Sequence, residues 1–413
     1  MEKVIKKRNE SNLYCWLLAL VYFIPNINYY LSFLLSSLDM TTATIPLYFS
    51  LYLVVIYAYG KTFLKNGSSL FCLLVVGVLY LYTLAFWPQN ERFMFGGFWD
   101  AVYNPLYRIV FLGLPLLFLP LFIEDFSYLY RTFCKLAWIN LSVALLAYFW
   151  QIINLERDFE YMTFSYNMLF SAALCFLYSR ERKNLFLLIF PSIGMLCIMV
   201  IGSRGAMICA VLFLVLNFFV STNRQVSRGK IFIWSAIGVA TFLFIVYFDA
   251  ILSYAVEYLK ELGFESRTIE KLIDGSLFED QGRENIAAAV TDSIWESPIW
   301  GHGLFGDRYA LYLVNGKGGY AHNIILEWLC QFGLLIGGIL CIIYLYYAVK
   351  CVFVKTGYRL KALYICIFSA TFFKMFVTGT YLGDSNFYLL IGLVVMVIRS
   401  DRKSKQEVNN ITQ

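Results

Sequence analysis

Two histidines occur in the chain, His302 and His322, and they are its only side chains whose ordinary titration falls near neutral pH. His302 stands in Trp300-Gly-His-Gly, a turn pattern, and reads first as a surface or backbone-bonded histidine. His322 opens an apolar run in Ala321-His-Asn-Ile-Ile-Leu-Glu, where it either caps the following helix or serves as a general base toward a hydroxyl presented at that edge. Arg204, in the tight link Gly202-Ser-Arg-Gly205, carries a permanent charge in a fork that grips phosphate through two parallel hydrogen bonds; the alternative is an interfacial anchor. Arg283, in Gly282-Arg-Glu-Asn, opens a second helical segment and, taken alone, reads as a solvated loop charge. Arg267, Arg308 and Lys374 are further cationic candidates for substrate binding, joined by Asn323 and Trp300. No D-x-D tripeptide, histidine pair at helical spacing or EF-hand occurs; Glu156-Arg-Asp158 is the nearest approach and reads as a solvated charge pair. A P-loop, a G-x-G-x-x-G after a strand and a G-x-S-x-G are all missing, so nucleotide-driven transport and serine hydrolysis find no support.

The elements that must position these residues are apolar. Of 413 residues 60% are hydrophobic and only 15% charged, with aromatics at 19%, whereas soluble domains carry about 25% charge. No soluble core of this length hides so much apolar surface, which excludes a soluble enzyme, a nucleic-acid binder and a disordered chain. The chain reads as an all-α, polytopic membrane protein. Twelve spans are predicted, at 13–35, 44–60, 69–87, 108–123, 136–153, 163–179, 185–201, 205–221, 231–248, 323–348, 362–377 and 386–398. The first is read as a retained span rather than a cleavable signal, because Pro25 and Asn26 interrupt it and no small-residue cleavage site follows. With both termini cytoplasmic, inner segments hold 22 of the 33 Lys and Arg, as the positive-inside rule requires. The organisation expected is spans one to nine over 1–248, a large extracytoplasmic loop over 249–322, spans ten to twelve over 323–398 and a cytoplasmic tail over 399–413.

The large loop has 74 residues, twelve acidic and six basic. Ile251, Leu252, Ala255, Val256, Leu259 and Leu262 repeat at helical spacing, which predicts an amphipathic surface helix, and a second helix is predicted from Arg283 to Trp295. Its Trp295, Trp300, Tyr309, Tyr312 and Tyr320 suit stacking on sugar rings, and an interfacial aromatic belt accounts for them nearly as well. The ten cysteines lie in or beside apolar runs and read as small packed hydrophobes rather than disulfide or metal partners. Lys374 and Glu327 fall inside predicted spans, about four residues or some 6 Å from the outer end. An unpaired charge there is costly, so either the two pair or Lys374 reaches a substrate anion.

Three segments, in order, resemble the Wzy-type O-antigen polymerase and O-antigen ligase superfamily. They are Ile201-Gly-Ser-Arg-Gly-Ala206; Gly282-Arg-Glu-Asn-Ile with Glu296-Ser-Pro-Ile-Trp-Gly-His-Gly-Leu-Phe305; and Ala321-His-Asn-Ile-Ile-Leu326 running into Gly333-Leu-Leu-Ile-Gly337. The resemblance implies that Arg204 and Arg283 hold a lipid diphosphate and that His322 activates an acceptor hydroxyl. Two departures stand out: Gln331 replaces a frequent acidic residue, and Ile336 holds the place of the second glycine, with Gly337 following.

The expected activity is polymerisation of polyprenyl-diphosphate-linked repeat units into capsular, exopolysaccharide or O-antigen chains, at a site facing outward from a bacterial plasma membrane. Neither a nucleotide sugar nor a divalent cation is expected as cofactor. The expected partners are lipid-linked oligosaccharides, with a flippase and a chain-length regulator, and no nucleic acid. A ligase moving a finished glycan to a lipid or protein is the alternative within the class, and a polysaccharide flippase is the alternative outside it. A transporter should carry charges deep in several spans, whereas here the candidates gather toward one face.

Overall fold

The computed structural model describes residues 2–36, 41–95, 104–153, 161–201, 204–221, 254, 283–316 and 318–412. Every regular element among them is helical: α1 (Glu2–Ser36), α2 (Ile45–Asn66), α3 (Ser68–Phe86), α4 (Glu91–Phe95), α5 (Pro105–Phe122), α6 (Phe126–Ile153), α7 (Tyr161–Glu181), α8 (Leu185–Ile201), α9 (Arg204–Ser221), α10 (Arg283–Glu296), α11 (Gly306–Asn315), α12 (Ile324–Phe353), α13 (Tyr358–Thr371), α14 (Lys374–Val377) and α15 (Ser385–Thr412).

Local chemistry sets many of these boundaries. Gly67 ends α2 in the left-handed conformation, which costs a glycine little. Asn104, Asp125, Asn184 and Asn323 each accept main-chain N–H groups with their side chains at a helix start. In α5, Pro115 and Pro120 interrupt the ladder, and the helix runs through a wide turn at Arg108–Gly113 and a tight one at Leu119–Phe122.

Seven helices among the described residues are long and apolar enough to cross a membrane: α1, α2, α3, α5, α6, α12 and the α13–α14 pair. The runs predicted at 163–179, 185–201, 205–221 and 386–398 also fall on helices, α7, α8, α9 and α15, which are shorter, more polar or continue into a polar tail. The run at 231–248 and the amphipathic pattern at 251–262 lie outside the described residues, apart from Tyr254. The helix predicted from Arg283 to Trp295 is α10.

The main core packs α1 on α6, α7 on α8, α9 on α13 and α13 on α15. Tyr22, Phe23, Phe133 and Phe170 interlock at its centre, and the buried Tyr22 hydroxyl donates to Asn386 Oδ1 at 2.6 Å, tying the first helix to the last. A second, smaller core of Val290, Ile294, Leu311, Ala321 and Cys330, with Ile286, Leu326 and Leu329 against it, joins α10 and α11 to the start of α12.

The span expected at 323–348 is not one rod. Gly333 (φ +74, ψ 174) breaks α12 into arms at 324–332 and 334–353. In a straight helix residues 329 and 337 would stand about 12 Å apart. Here the Leu329 Cα lies 3.0 Å, and the Trp328 carbonyl oxygen 2.5 Å, from where a Gly337 Cβ would sit, so the first arm folds back beside the second. Any side chain at 337 would strike that carbonyl, which gives the displaced glycine its physical reason. Only the second arm, 20 residues and about 30 Å long, has the length of a spanning rod.

Candidate active site

Breaking a helix frees main-chain groups that must find partners. The segment 298–303 supplies them. His302 and Gly303 N–H donate to the carbonyls of Cys330 (2.8 Å) and Gln331 (2.9 Å), and Leu334 N–H donates to the Pro298 carbonyl at 2.7 Å. The fit requires glycine on both sides: a Cβ on Gly333 would lie 2.1 Å from the Ile299 carbonyl oxygen, and one on Gly301 would lie 2.6 Å from that of Gln331. His302 is consumed here. Its Nε2 lies 2.7 Å from the Ser293 carbonyl, and its own carbonyl accepts from Asn90 Nδ2 at 2.8 Å. The turn reading of that histidine therefore holds.

His322 lies at the other end of the first arm. Asn323 caps α12, accepting from Ile325 and Leu326 N–H, while His322 itself adopts φ +54, a left-handed conformation unusual for a non-glycine residue. Its ring packs on Tyr320 with centroids 4.0 Å apart, and the Tyr320 hydroxyl donates to the Thr378 carbonyl at 3.0 Å. Burial, then the Arg283 charge, lower the imidazole pKa, while a hydrogen bond to the Thr378 main chain and the Asp307 carboxylate oppose them. Among the described residues Nδ1 is buried without a partner. With its proton on Nε2 toward the Thr378 main chain, the neutral ring would keep an open lone pair on Nδ1.

Beneath this turn lies a closed polar network. Arg308, on α11, donates to Asp307 at 3.0 Å, to Glu327 at 3.2 Å and to the Thr380 hydroxyl at 3.0 Å. Asp307 accepts also from Gln331 Nε2 at 2.8 Å and from Ala321 N–H at 3.1 Å, the residue preceding His322. Glu327 accepts from the Thr380 hydroxyl at 2.6 Å and from Tyr381 N–H at 3.3 Å, and the Tyr381 hydroxyl donates to Gln331 Oε1 at 2.6 Å. The two buried carboxylates raise the Arg308 pKa against the opposing cost of burial. With two acids and one guanidinium already buried there, the neutral Gln331 closes the network without adding a further charge.

The expected Lys374–Glu327 pair is not formed. Lys374 Nζ lies 2.5 Å from Asp384 Oδ2 and 5.1 Å over the Tyr166 ring, whereas Glu327 belongs to Arg308. Each charge finds its own partner, so burial exacts no unpaired charge from either. Arg283 begins α10 and acts on His322 through its charge. The main chain of Arg204 begins α9, which packs on α13 and α14, the elements leading to Thr378; its side chain and all of Arg267 lie outside the described residues. Trp300 is exposed at the α12 break, a first-arm length from His322.

The residues that sequence reasoning missed are Asp307, Gln331, Thr378, Thr380, Tyr381 and Asp384, which meet from segments up to 77 residues apart in sequence. Arg108 joins the same turn, its Nη1 3.2 Å from where a Gly383 Cβ would lie. Within the chain only the adjacency of Asp307 to Arg308 hinted at a pair. Among the described residues no three His, Cys, Asp or Glu side chains gather as a metal site would need.

Residues 185–343 match the family model described as O-antigen ligase. This stretch runs from α8 into the second arm of α12, and it contains the Gly202-Ser-Arg link, the α10–α11 segment and the His322 turn. It belongs to the O-antigen polymerase and ligase superfamily. The matched stretch therefore holds the break in α12 and His322 with Asp307, Arg308, Glu327 and Gln331, while Thr378, Thr380 and Tyr381 lie beyond it. No curated protein and no solved structure matches the chain.

Proposed function

We propose that the chain is a membrane glycosyltransferase that extends polyprenyl-diphosphate-linked glycans by repeat units, with His322 as general base. The observation that carries this reading is the half-buried His322 imidazole, its Nδ1 buried and unpartnered among the described residues, on a left-handed backbone. In the transfer, an acceptor sugar hydroxyl attacks the anomeric carbon of the donor and loses its proton to His322 Nδ1. The bond from that carbon to the diphosphate oxygen breaks, and polyprenyl diphosphate leaves with the electron pair. Arg283 and Arg204 stabilise the charge that develops on it, the role a metal ion plays elsewhere. Asn323, Lys374, Arg308, Arg267 and Trp300 are proposed as the weaker substrate-binding set of this reading.

A second reading within the class is supported by the description of the matched family: a ligase that transfers a finished glycan to a lipid or protein acceptor. Purified protein in vesicles, given lipid-linked repeat units alone, separates the two. A ladder of products that disappears in His322→Ala supports the polymerase; products formed only when a second acceptor is added support the ligase; no product with either sinks both. Chelation with EDTA should leave the rate unchanged. The topology proposed with this reading is twelve spans, both termini cytoplasmic and 249–322 outside, with a flippase and a chain-length regulator as partners. An impermeant thiol reagent on intact cells should label a cysteine introduced at Ser276 and spare one at Ser404.

A further inference from the structure

We propose that the corner formed by Trp295, Ile299 and Trp300 is seated in the bilayer, at the headgroup–acyl boundary of the leaflet that the α12 break faces, with phospholipid as its partner. These side chains are 67%, 60% and 67% exposed, on a segment that otherwise packs tightly. Their depth follows from hydrogen bonds. Leu334 N–H donates to the Pro298 carbonyl, and the Cys330 and Gln331 carbonyls accept from His302 and Gly303, so the corner stands level with the first residue of the 20-residue spanning arm. That arm is about 30 Å long, the thickness of the hydrocarbon, so its first residue marks the boundary.

The corner also continues a surface that lipid already claims. Leu334, Leu335, Ile336, Ile339, Ile342 and Ile343 are exposed along the arm, and Tyr346, Tyr347 and Lys350 gather toward its other end, as at a membrane interface. Glu296 and Asp292 are exposed beside Trp295, which places the corner at the boundary and not within the hydrocarbon. Two indoles, apolar in body with one N–H to satisfy, suit that depth. The consequence is mechanical. The anchored corner caps the break, and the first arm runs from the break to His322, so the site keeps a constant height over the lipid headgroups.

Photo-cross-linking of the full chain in vesicles of phosphatidylethanolamine and phosphatidylglycerol tests the proposal without any assay of transfer. Its failure therefore leaves the catalytic reading untouched. Trp300→p-benzoylphenylalanine should form phospholipid adducts in a yield comparable to Leu335→p-benzoylphenylalanine, and Val290→p-benzoylphenylalanine, at a fully buried position, should form none. Adducts at 335 without adducts at 300 would overturn it, as would adducts at 300 to a second copy of the chain. Trp300→Phe gives an independent measurement. Lipids brominated near the headgroup end of the acyl chain should quench a component of wild-type tryptophan emission that this variant lacks; loss of an unquenched component instead would overturn the proposal.

Discussion

The two histidine turns serve the same helix and could hardly be built more differently. The turn at 298–303 places glycine wherever the backbone is left-handed, at Gly301 (φ +67) and Gly303 (φ +70), and His302 between them has its N–H, carbonyl and ring all bonded. The turn at 320–323 puts a histidine at φ +54 and leaves its Nδ1 buried and, among the described residues, unpartnered. The left-handed backbone costs roughly 1–2 kcal/mol for a residue with a Cβ, and an unsatisfied buried polar atom costs about 1–3 kcal/mol. The first turn is optimised for holding α12 together. The second tolerates two penalties at one residue, and penalties persist where surrounding structure enforces them, as the Asp307 bond to Ala321 N–H does here.

The sharpest way to break this contrast is to remove each imidazole. His322→Ala should lower transfer by about 10²–10⁴-fold, the usual worth of a positioned general base, with the protein still folded and inserted. His322→Asn should be equally inactive yet at least as stable as the wild type, since asparagine accepts a left-handed backbone more readily; thermal unfolding in detergent reads this. A clear loss of stability in both variants would make His322 a structural residue like His302.

The network beneath the second turn comes next in size. Arg308→Ala leaves Asp307 and Glu327 buried without their cation, and should cost about 3–5 kcal/mol of stability, read as a fall in the detergent unfolding midpoint. Arg308→Lys should recover part of this, because one ammonium cannot donate along the directions of both carboxylates and Thr380 at once. His302→Ala should be milder, costing about 1–3 kcal/mol through the unpaired Ser293 carbonyl, while activity per folded molecule stays at the wild-type level.

The smallest effect is electrostatic. Burial and Arg283 push the His322 pKa below its ordinary value of about 6.5, so the proton-accepting form prevails at neutral pH and the rate should rise with pH through a limb lying under 6.5. Arg283→Gln removes one of the lowering influences, so the acid limb should move upward toward 6.5. A limb that stays in place would place Arg283 outside the electrostatic reach of the imidazole.

What the sequence determined by itself follows from interactions that are local or need no particular partner. Eleven predicted apolar runs fall on described residues, and each lies on a helix, because an apolar run of that length in lipid must bond its own backbone internally. The helix beginning at Arg283 was legible for the same reason of spacing, and the turn character of Trp300-Gly-His-Gly for the conformational freedom of its glycines. Tertiary structure alone decided the rest. An apolar stretch of 30 residues carries no mark of a break, since Gly333 is tolerated in a straight helix; the left-handed turn there is favoured only because 298–303 arrives to bond the freed groups. Lys374 and Glu327 looked like partners because both were buried charges, yet Asp384 and Arg308 reach them first across the fold. The unpartnered Nδ1 of His322 is likewise a product of packing: Tyr320 covers the ring, and Asp307 holds the turn through Ala321, fourteen residues away.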